Sequence, residues 1–553
     1  MRTNWYKKAV IYQIYPRSFC DKNGDGIGDI PGIISKLDYL KDLGINCIWL
    51  SPVYDSPQVD NGYDISNYYD IYPPFGSMND MISLIKEAHI RHIKIIMDFV
   101  GNHTSDKHKW FLDILNNPNS EYKDYYIIKK GKKNGKKPPN NWTGFFGEGA
   151  WVKLPNTDEY YLHLFAKGQP DLNWENPALR EEIKKILSFW LDLGVDGFRC
   201  DVINLISKDQ RYKNAFPLIG LTGYKYYING PRLHEYLHEL FKSVYSKYDS
   251  MTVGETVFSN VDEAVKLVSP SREELEMIFN FDHTDTDNYL GIKYLPRKFS
   301  LVRLKKIVNK WQKGLFNKGW NSLFIENHDQ RRSVGRFNTD DKEYREVSAK
   351  MLAASYFLLQ GTPFIYQGQE IGMTNGEFES LDEFKDVEIK NMMKIINKIP
   401  LFKKKLKNNA YEVSRDNARI PISWDNSKYG GFSSSNSWIK VHPRKDEINV
   451  KSALENKKSV FYYYQDLIKL RLNHEVVISG QYFDLLPKHK SLYIYERRLD
   501  NVSMIVMSNF SKKEVKHHLV KEKGLDNIVL SNYDEHSLDT LKPYENRVYL
   551  IKK

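Results

Sequence analysis

Eight short apolar segments, each followed by a stretch with helical periodicity, constrain the fold of this chain more than any other feature. Runs this apolar are typical of strands covered on both faces, as in a parallel sheet. The candidate strands are residues 9–15, 45–50, 93–98, 197–201, 251–255, 277–281, 322–325 and 362–366. Eight strands that alternate with helices predict an α/β fold, a (β/α)8 TIM barrel.

Two regions depart from the alternation. Residues 104–173 separate the third and fourth candidate strands and are too many for an ordinary loop, so we expect an inserted subdomain over the barrel mouth. From about residue 480 the pattern changes to short alternating segments, which predict an antiparallel β-sandwich. The predicted domains are therefore a catalytic barrel (1–103 and 174–479), the inserted subdomain (104–173) and a C-terminal β-sandwich (480–553).

The composition argues against several classes of partner. The chain has 553 residues and a formal net charge of +11, but 70 acidic residues are interspersed with the basic ones, which is typical of a solvated surface and not of nucleic-acid binding. No apolar segment is long enough for a membrane span, and the N-terminus lacks the apolar core of a signal peptide. With only three cysteines, these features predict a cytoplasmic protein, and we expect a monomer.

Acidic residues recur where the predicted strands end. Asp98, Asp201 and Glu255 close three strands, and Asp329 follows the seventh. A single buried aspartate is most simply explained by a structural salt bridge. Four acidic residues at equivalent positions instead indicate a site, because barrel enzymes gather their chemistry at the C-terminal ends of the strands.

The spacing of these carboxylates suits retaining glycoside hydrolysis. That reaction uses two carboxyl groups about 5–5.5 Å apart, one as nucleophile and one as acid/base. Strands four and five are neighbours in a barrel, which allows Asp201 and Glu255 to approach each other. Arg199 lies two residues before Asp201, on the same face of the strand, where its charge would keep the nucleophile ionised.

Four motifs in a fixed order make the chain recognisable: DFVGNH at 98–103, GFRCD at 197–201, VGE at 253–255 and ENHD at 326–329. With them the chain resembles the α-amylase family, glycoside hydrolase family 13. The resemblance implies a retaining α-glucosidase in which Asp201 is the nucleophile, Glu255 the acid/base and Asp329 the transition-state stabiliser. No organic cofactor is expected.

The same resemblance implies a pocket for one glucose unit of a small oligosaccharide. Asp60 and Tyr63 would line its closed end, and Arg199 would brace the nucleophile. Arg415 would contact the non-reducing end of the sugar. The remaining residues implied to bind substrate are His103, Phe165, Gln169, Val202, His328 and Arg419.

Two features point to the oligo-1,6-glucosidase subfamily. The segment QPDLNW at 169–174 resembles its signature, and Val202 directly follows the nucleophile, where the resemblance associates valine with α-1,6 and threonine with α-1,4 bonds. Val202 also has a plain packing interpretation. The implied reaction is hydrolysis of non-reducing-end α-1,6 bonds in isomaltose and short isomalto-oligosaccharides through a covalent glucosyl-enzyme.

Other substrates remain open with the same catalytic residues. One is trehalose 6-phosphate: residues 207–211 resemble that branch, whereas residues 222–230 and the absence of lysine after His283 favour isomaltose. Another is sucrose, acted on by an α-glucosidase or by an isomerase in which a sugar intercepts the intermediate. A non-catalytic family member would have lost its carboxylates. Arg331, Glu326 and the pair Val257-Phe258 depart from the family pattern.

The loop DKNGDGIGD at 21–29 resembles the first half of an EF-hand loop. Its oxygen donors would be Asp21, Asn23, Asp25 and Asp29, with the carbonyl of Ile27. The glutamate usual at position 12 is missing, and a plain glycine-rich turn is the alternative. Relatives in the resembled family carry a similar loop site, so we expect a structural Ca²⁺.

Overall fold

Eight parallel strands close into a barrel in chain order, in a computed structural model that describes residues 2–217, 221–289, 292–398 and 403–552. The predicted (β/α)8 barrel is confirmed. Its strands are β1 (Ile11–Ile14), β2 (Cys47–Leu50), β3 (Lys94–Val100), β4 (Gly197–Asp201), β5 (Met251–Glu255), β6 (Met277–Phe279), β7 (Trp320–Leu323) and β8 (Thr362–Tyr366).

Helices surround the barrel and cover its strands. The helix before β4 buries the apolar face that its sequence predicted, including Ile183, Ile186, Leu187 and Trp190, and the Asn176 side chain caps its first turn. The longer helices of the barrel layer are Met78–Ile90, Pro177–Asp192, Leu233–Ser243, Val261–Val268, Leu301–Leu315, Arg345–Phe357 and Val460–Asn473.

The register of the central strands determines which residues lie at the same height in the barrel. Asp98 of β3 pairs with Arg199 of β4, and Arg199 pairs with Val253 of β5. Gly197 at the start of β4 has a φ of +152°, and a Cβ there would lie 2.1 Å from the carbonyl oxygen of Met251. Glycine is therefore required where β4 approaches β5 most closely.

Residues 104–173 carry a small structure of their own. It contains the helix Lys109–Asn116 and a three-stranded antiparallel sheet. The strand order of this sheet is Ile128–Lys130, Glu159–Leu162, Trp151–Lys153. Its apolar side chains share a cluster with Val202 and Leu205, so the insertion packs on the loop that follows β4.

A second insertion follows β8, and the sequence pattern did not predict it. The helices Val387–Ile396 and Lys403–Val413 pack around a separate apolar cluster that includes Phe384 and Met393. The short helix Asp416–Arg419 follows them. This insertion brings Arg415 and Arg419 to the barrel mouth.

The C-terminal part is antiparallel, as predicted. Five strands pair in the order β9 (Gln481–Asp484), β10 (Leu492–Leu499), β11 (Val502–Asn509), β13 (Asn546–Lys552) and β12 (Ile528–Ser531). One face of this sheet packs against Leu541 of a two-stranded sheet, and the other face joins the main core. None of the helices in the described part of the chain combines the length and the hydropathy that a membrane crossing needs.

Candidate active site

One buried guanidinium organises the centre of the barrel mouth. Arg199 Nη1 donates to Asp98 Oδ1 at 2.6 Å and to Asp201 Oδ1 at 2.5 Å, and its Nη2 donates to Glu255 Oε2 at 2.6 Å. Arg199 itself is 2% exposed. Because the two terminal nitrogens of one guanidinium hold Asp201 and Glu255, the ends of β4 and β5 place these carboxyl groups side by side.

The protonation of this pair follows from its surroundings. Burial raises the pKa of Asp201 well above its ordinary value; Arg199 opposes this effect and Glu255 adds to it. Two adjacent carboxylates favour holding one proton between them. Arg199 then stabilises the remaining negative charge. Arg199 also places the two carboxyl groups next to each other, which is the arrangement that retaining hydrolysis needs.

Asp98 supports the arginine from the other side. Its Oδ2 accepts a hydrogen bond from Trp49 Nε1 at 2.9 Å, while Oδ1 accepts from Arg199. Burial raises the pKa of Asp98 to about 6, and Arg199 limits that rise. Asp98 contacts the side chains that orient the nucleophile, so the geometry gives it a positioning role.

Tyr63 and His328 form a flat wall beside these carboxylates. Their rings stack with centroids 5.4 Å apart and an interplanar angle of 7°, and Tyr63 Oη lies 2.7 Å from His328 Nε2. Gln13 Nε2 donates to His328 Nδ1 at 2.7 Å, which places the ring proton on Nε2. Burial lowers the pKa of His328 to about 3, so the imidazole is neutral at pH 7.

Asp329 is held by two arginines from the insertion after β8. Arg419 Nη2 donates to Asp329 Oδ1 at 2.6 Å, and Arg415 Nη1 donates to the same oxygen at 3.3 Å. Burial acts to raise the pKa of Asp329, but His328, Arg415 and Arg419 outweigh it and hold that pKa well below its usual range. Since His328 is neutral at pH 7, the two arginines keep Asp329 ionised there.

The same Arg415 also joins two further buried carboxylates. Its Nη2 donates to Asp60 Oδ1 at 3.2 Å and to Asp386 Oδ1 at 2.5 Å. Gln169 Nε2 donates to Asp60 Oδ2 at 3.4 Å and lies 3.0 Å from His103 Nε2. Burial raises the pKa of Asp60 to about 6, against the arginine charges. These residues therefore form a buried polar network of a kind that suits sugar hydroxyls.

Aromatic side chains from the first insertion form the opposite wall. Phe165 lies 5.1 Å from the His103 ring and stacks on Phe145 with centroids 5.0 Å apart. Val202 is 6% exposed and belongs to the same apolar cluster. Its φ of 34° is rare for a β-branched residue, and its backbone N–H donates to Glu255 Oε2 at 3.2 Å.

The structure thus brings together the residues that the sequence singled out as candidates for catalysis and substrate binding. It also adds residues that the sequence analysis missed, chiefly Asp386, Trp49 and Gln13. Asp386 caps the helix Val387–Ile396 and pairs with Arg415 through both carboxyl oxygens. A helix cap in a long loop after β8 was the available signal, but such caps are common and do not by themselves indicate a site.

Two departures from the family pattern have structural partners. Arg331 Nη2 donates to Asp287 Oδ2 at 2.8 Å, and its Nη1 donates to Glu412. It therefore joins the loop after β7 to the insertion after β8. Glu326 accepts from Arg332 Nη1 at 3.1 Å and from the backbone N–H of Ser333 at 2.5 Å, which accounts for its charge at a buried position.

The loop at 21–29 is ordered by its own carboxylates. Asp21 accepts hydrogen bonds from the backbone of Gly24 and Gly26, and Asp29 accepts from Lys22 and Asn23. Gly26 has a φ of +89°, which suits the sharp turn of an EF-hand-like loop. Within the described ranges, no group of three or more His, Cys, Asp and Glu side chains is placed to hold a metal ion.

Comparisons with known proteins agree with this geometry. The catalytic-domain model of α-amylase matches residues 13–480. An oligo-1,6-glucosidase of Parageobacillus thermoglucosidasius is 50% identical over 566 aligned residues that cover 100% of both chains. The crystal structure of a Bacillus licheniformis trehalose-6-phosphate hydrolase is 43% identical, with a TM-score of 0.94, and covers 99% of this chain and 100% of its own.

A third relative is named for a different reaction. The crystal structure of an isomaltulose synthase from Erwinia rhapontici NX5 is 38% identical, with a TM-score of 0.95, and covers 99% of both chains. The barrel, the carboxylates at its strand ends and these full-length matches have one explanation. The chain belongs to the α-amylase family of glycoside hydrolases.

Proposed function

We propose that this enzyme is an α-glucosidase that removes glucose from the non-reducing end of isomaltose and short isomalto-oligosaccharides by cleaving α-1,6 bonds. The observation that carries the mechanism is the Arg199 guanidinium, which holds Asp201 and Glu255 on its two terminal nitrogens. The oligo-1,6-glucosidase that is 50% identical over its whole length supports the choice of substrate.

The reaction proceeds in two steps with net retention. First, an Asp201 carboxylate oxygen forms a bond to C1 of the terminal glucose while Glu255 donates its proton to the glycosidic oxygen, and the bond to the leaving sugar breaks. Glu255 then accepts a proton from water, whose oxygen attacks C1 and releases Asp201. The product is α-glucose, and both carboxyl groups return to their starting forms.

The remaining residues hold one glucose unit in place. Asp329 is kept ionised by Arg415 and Arg419, so it can accept hydrogen bonds from two sugar hydroxyls and stabilise positive charge near C1. His103 and His328 contribute neutral donors. Arg415 and Asp60 close the far end of the pocket, which limits each cleavage to a single terminal glucose.

Val202 supports the preference for α-1,6 bonds. It directly follows the nucleophile, its backbone N–H donates to Glu255, and its side chain packs in the apolar cluster of the first insertion. In the Val202→Thr variant we expect the ratio of kcat/KM for isomaltose to that for maltose to fall about tenfold, because a hydroxyl changes hydrogen bonding to the leaving sugar.

The ratio is measured by glucose release from both disaccharides. Val265→Thr, on the helix Val261–Val268 away from the mouth, is the matched control and should leave the ratio unchanged. An unaltered ratio in Val202→Thr would show that Val202 has only a packing role.

Two other substrates keep the same chemistry. The trehalose-6-phosphate hydrolase and isomaltulose synthase structures cover 99% of this chain, and nothing in the two-step mechanism excludes trehalose 6-phosphate or sucrose. The decisive experiment is a panel of isomaltose, isomaltotriose, maltose, sucrose, trehalose and trehalose 6-phosphate, with glucose and transfer products measured. We expect the isomalto series to dominate. Dominant turnover of trehalose 6-phosphate or sucrose would overturn the proposed substrate.

We propose further that the enzyme acts as a cytoplasmic monomer. Cys20, Cys47 and Cys200 are buried free thiols, as suits a reducing compartment. Size-exclusion chromatography with light scattering measures the mass directly, and a mass near twice 65.0 kDa would contradict the monomer.

We propose a structural Ca²⁺ as the ligand of the loop at 21–29, on the ground of the oxygen-bearing residues in its sequence. Asp21, Asn23, Asp25 and Asp29 offer side-chain oxygens and Ile27 a carbonyl, and Ca²⁺ prefers such oxygen donors. A bound ion would offset two of the three negative charges of Asp21, Asp25 and Asp29 and hold the loop that follows β1. It takes no part in the reaction.

Calcium should therefore stabilise the fold. At a concentration of 100 Kd, binding adds about 2.7 kcal/mol to the free energy of unfolding, and we expect Tm to rise by about 2–5 °C over the EDTA-treated protein. Asp21→Asn should abolish that rise, whereas Asp42→Asn, at an exposed position outside the loop, should keep it. An identical Tm with Ca²⁺ and EDTA, and no calcium by elemental analysis, would refute the site.

A further inference from the structure

An exposed phenylalanine stands at the rim of the barrel mouth. Phe258 follows the acid/base Glu255 by three residues, its side chain is 64% exposed, and its φ is 56°. A bulky residue with positive φ is strained, and an exposed ring gains little from burial. Such a residue persists where the surrounding structure imposes its conformation.

That conformation is imposed by Asn204. The fully buried side chain of Asn204 donates from Nδ2 to the carbonyl oxygen of Val257 at 2.9 Å, and its Oδ1 accepts from the backbone N–H of Val257 at 3.2 Å. Asn204 follows the nucleophile by three residues. The loop after β5 is therefore tied to the loop after β4 at Val257, the residue that precedes Phe258.

A second aromatic ring stands beside Phe258. The Tyr224 ring is 6.1 Å from the Phe258 ring, and the two planes are tilted by 50°. Tyr224 begins the short helix Tyr224–Tyr227, in which Tyr226 stacks on Trp142 with centroids 5.9 Å apart at 7°. The backbone next to each ring is thus fixed, by Asn204 beside Phe258 and by Tyr226 in the helix of Tyr224, so a ligand that contacts the pair would order little additional backbone.

The position of the pair relative to the reacting bond defines its ligand. Glu255 donates its proton to the leaving-group oxygen, so the leaving sugar lies on the Glu255 side of the pocket. Val202 and Val257, which closely follow the two catalytic strand ends and pack in one apolar cluster, would lie next to the first leaving unit. Phe258 is exposed whereas Val257 before it is half-buried, so the pair lies farther out, where a second unit of an extended chain would pass.

We infer that the Phe258–Tyr224 pair stacks on the second sugar of the leaving group and makes the enzyme prefer isomalto-oligosaccharides longer than the disaccharide. This inference rests on the proposed function. Sugar rings present apolar C–H faces, and aromatic rings supply a large flat contact area for them. Isomaltose has no second leaving unit, so it does not reach the pair.

The test compares kcat/KM for isomaltose, isomaltotriose and isomaltotetraose in Phe258→Ala and in the wild type. We expect a loss of about 5- to 20-fold for the two longer substrates, expressed mainly in KM, and less than a twofold change for isomaltose. Phe258→Tyr should retain the wild-type preference. Phe216→Ala, which removes another highly exposed phenylalanine, is the matched control and should change none of the three values.

Phe258→Gly separates the ring from the backbone. Glycine adopts positive φ without strain, so this variant should be at least as stable as the wild type while losing the preference for longer substrates. An equal change for all three substrates, or no change for any, would overturn the inference. A wild-type enzyme that fails to cleave the isomalto series would instead refute the proposed function, and that failure is visible before any variant is made.

Discussion

Replacing Asp201 by asparagine should reduce kcat/KM by about 10⁴-fold or more. The amide lacks the negative oxygen that forms the glucosyl-enzyme, and no other carboxylate shares its position on β4. The fold should persist, because Arg199 keeps its hydrogen bonds to Asp98 and Glu255. Initial rates of glucose release from isomaltose measure the loss, and the Tm measures the integrity of the fold.

Rescue of activity by a small anion tests the role of Asp201 more directly. In Asp201→Gly the space left by the carboxylate admits azide, which attacks C1 from the same face and yields β-glucosyl azide. Asp209→Asn is the matched control, since Asp209 pairs with the exposed Arg211 outside the pocket, and it should keep wild-type activity. Near-normal turnover by Asp201→Asn would remove Asp201 from the role of nucleophile.

Glu255→Gln should lower kcat/KM for isomaltose by about 10³-fold. Glutamine cannot donate a proton to the glycosidic oxygen, and general acid–base catalysis of this kind contributes about 10²–10⁴-fold. An aryl α-glucoside with an acidic phenol as leaving group needs no such proton for the first step. We therefore expect its glycosylation, measured as the burst of released phenol, to be reduced far less.

The contrast between the two substrates identifies the acid. Glu235→Gln, on the exposed face of the helix Leu233–Ser243, should affect neither. If Glu255→Gln lost activity equally on isomaltose and on the activated aryl glucoside, Glu255 would act by positioning Arg199 or the substrate and not by donating a proton.

The barrel was predictable because its signal is local. The strands at 197–201, 251–255 and 362–366 agree with the structure residue for residue. Almost every residue of these three strands is buried, so the apolar segment in the sequence and the strand in the structure have the same bounds. The segment predicted at 322–325 is instead β7 at Trp320–Leu323: Phe324 and Ile325 are buried but lie beyond the last strand pairing. Apolarity reports burial and does not reveal where backbone pairing ends.

The insertion after β8 was missed for a related reason. Its helices pack on each other around Phe384, Ile389 and Met393, and in sequence they look like more of the alternating helices of a barrel. Only the closure of the barrel after eight strands shows that they lie outside it. Asp386, which they bring to Arg415, was therefore missed as well.

The sequence by itself determined which side chains are the candidates for catalysis: Asp201, Glu255 and Asp329 stand in spaced motifs at strand ends, and the strand period alone places Arg199 on the face of Asp201. Only the tertiary structure decided which of these charged groups contact one another. One guanidinium joins carboxylates from three strands, and Arg415 reaches Asp329 from the second insertion. Electrostatic coupling depends on distance and burial, and both arise only when segments far apart in the chain meet.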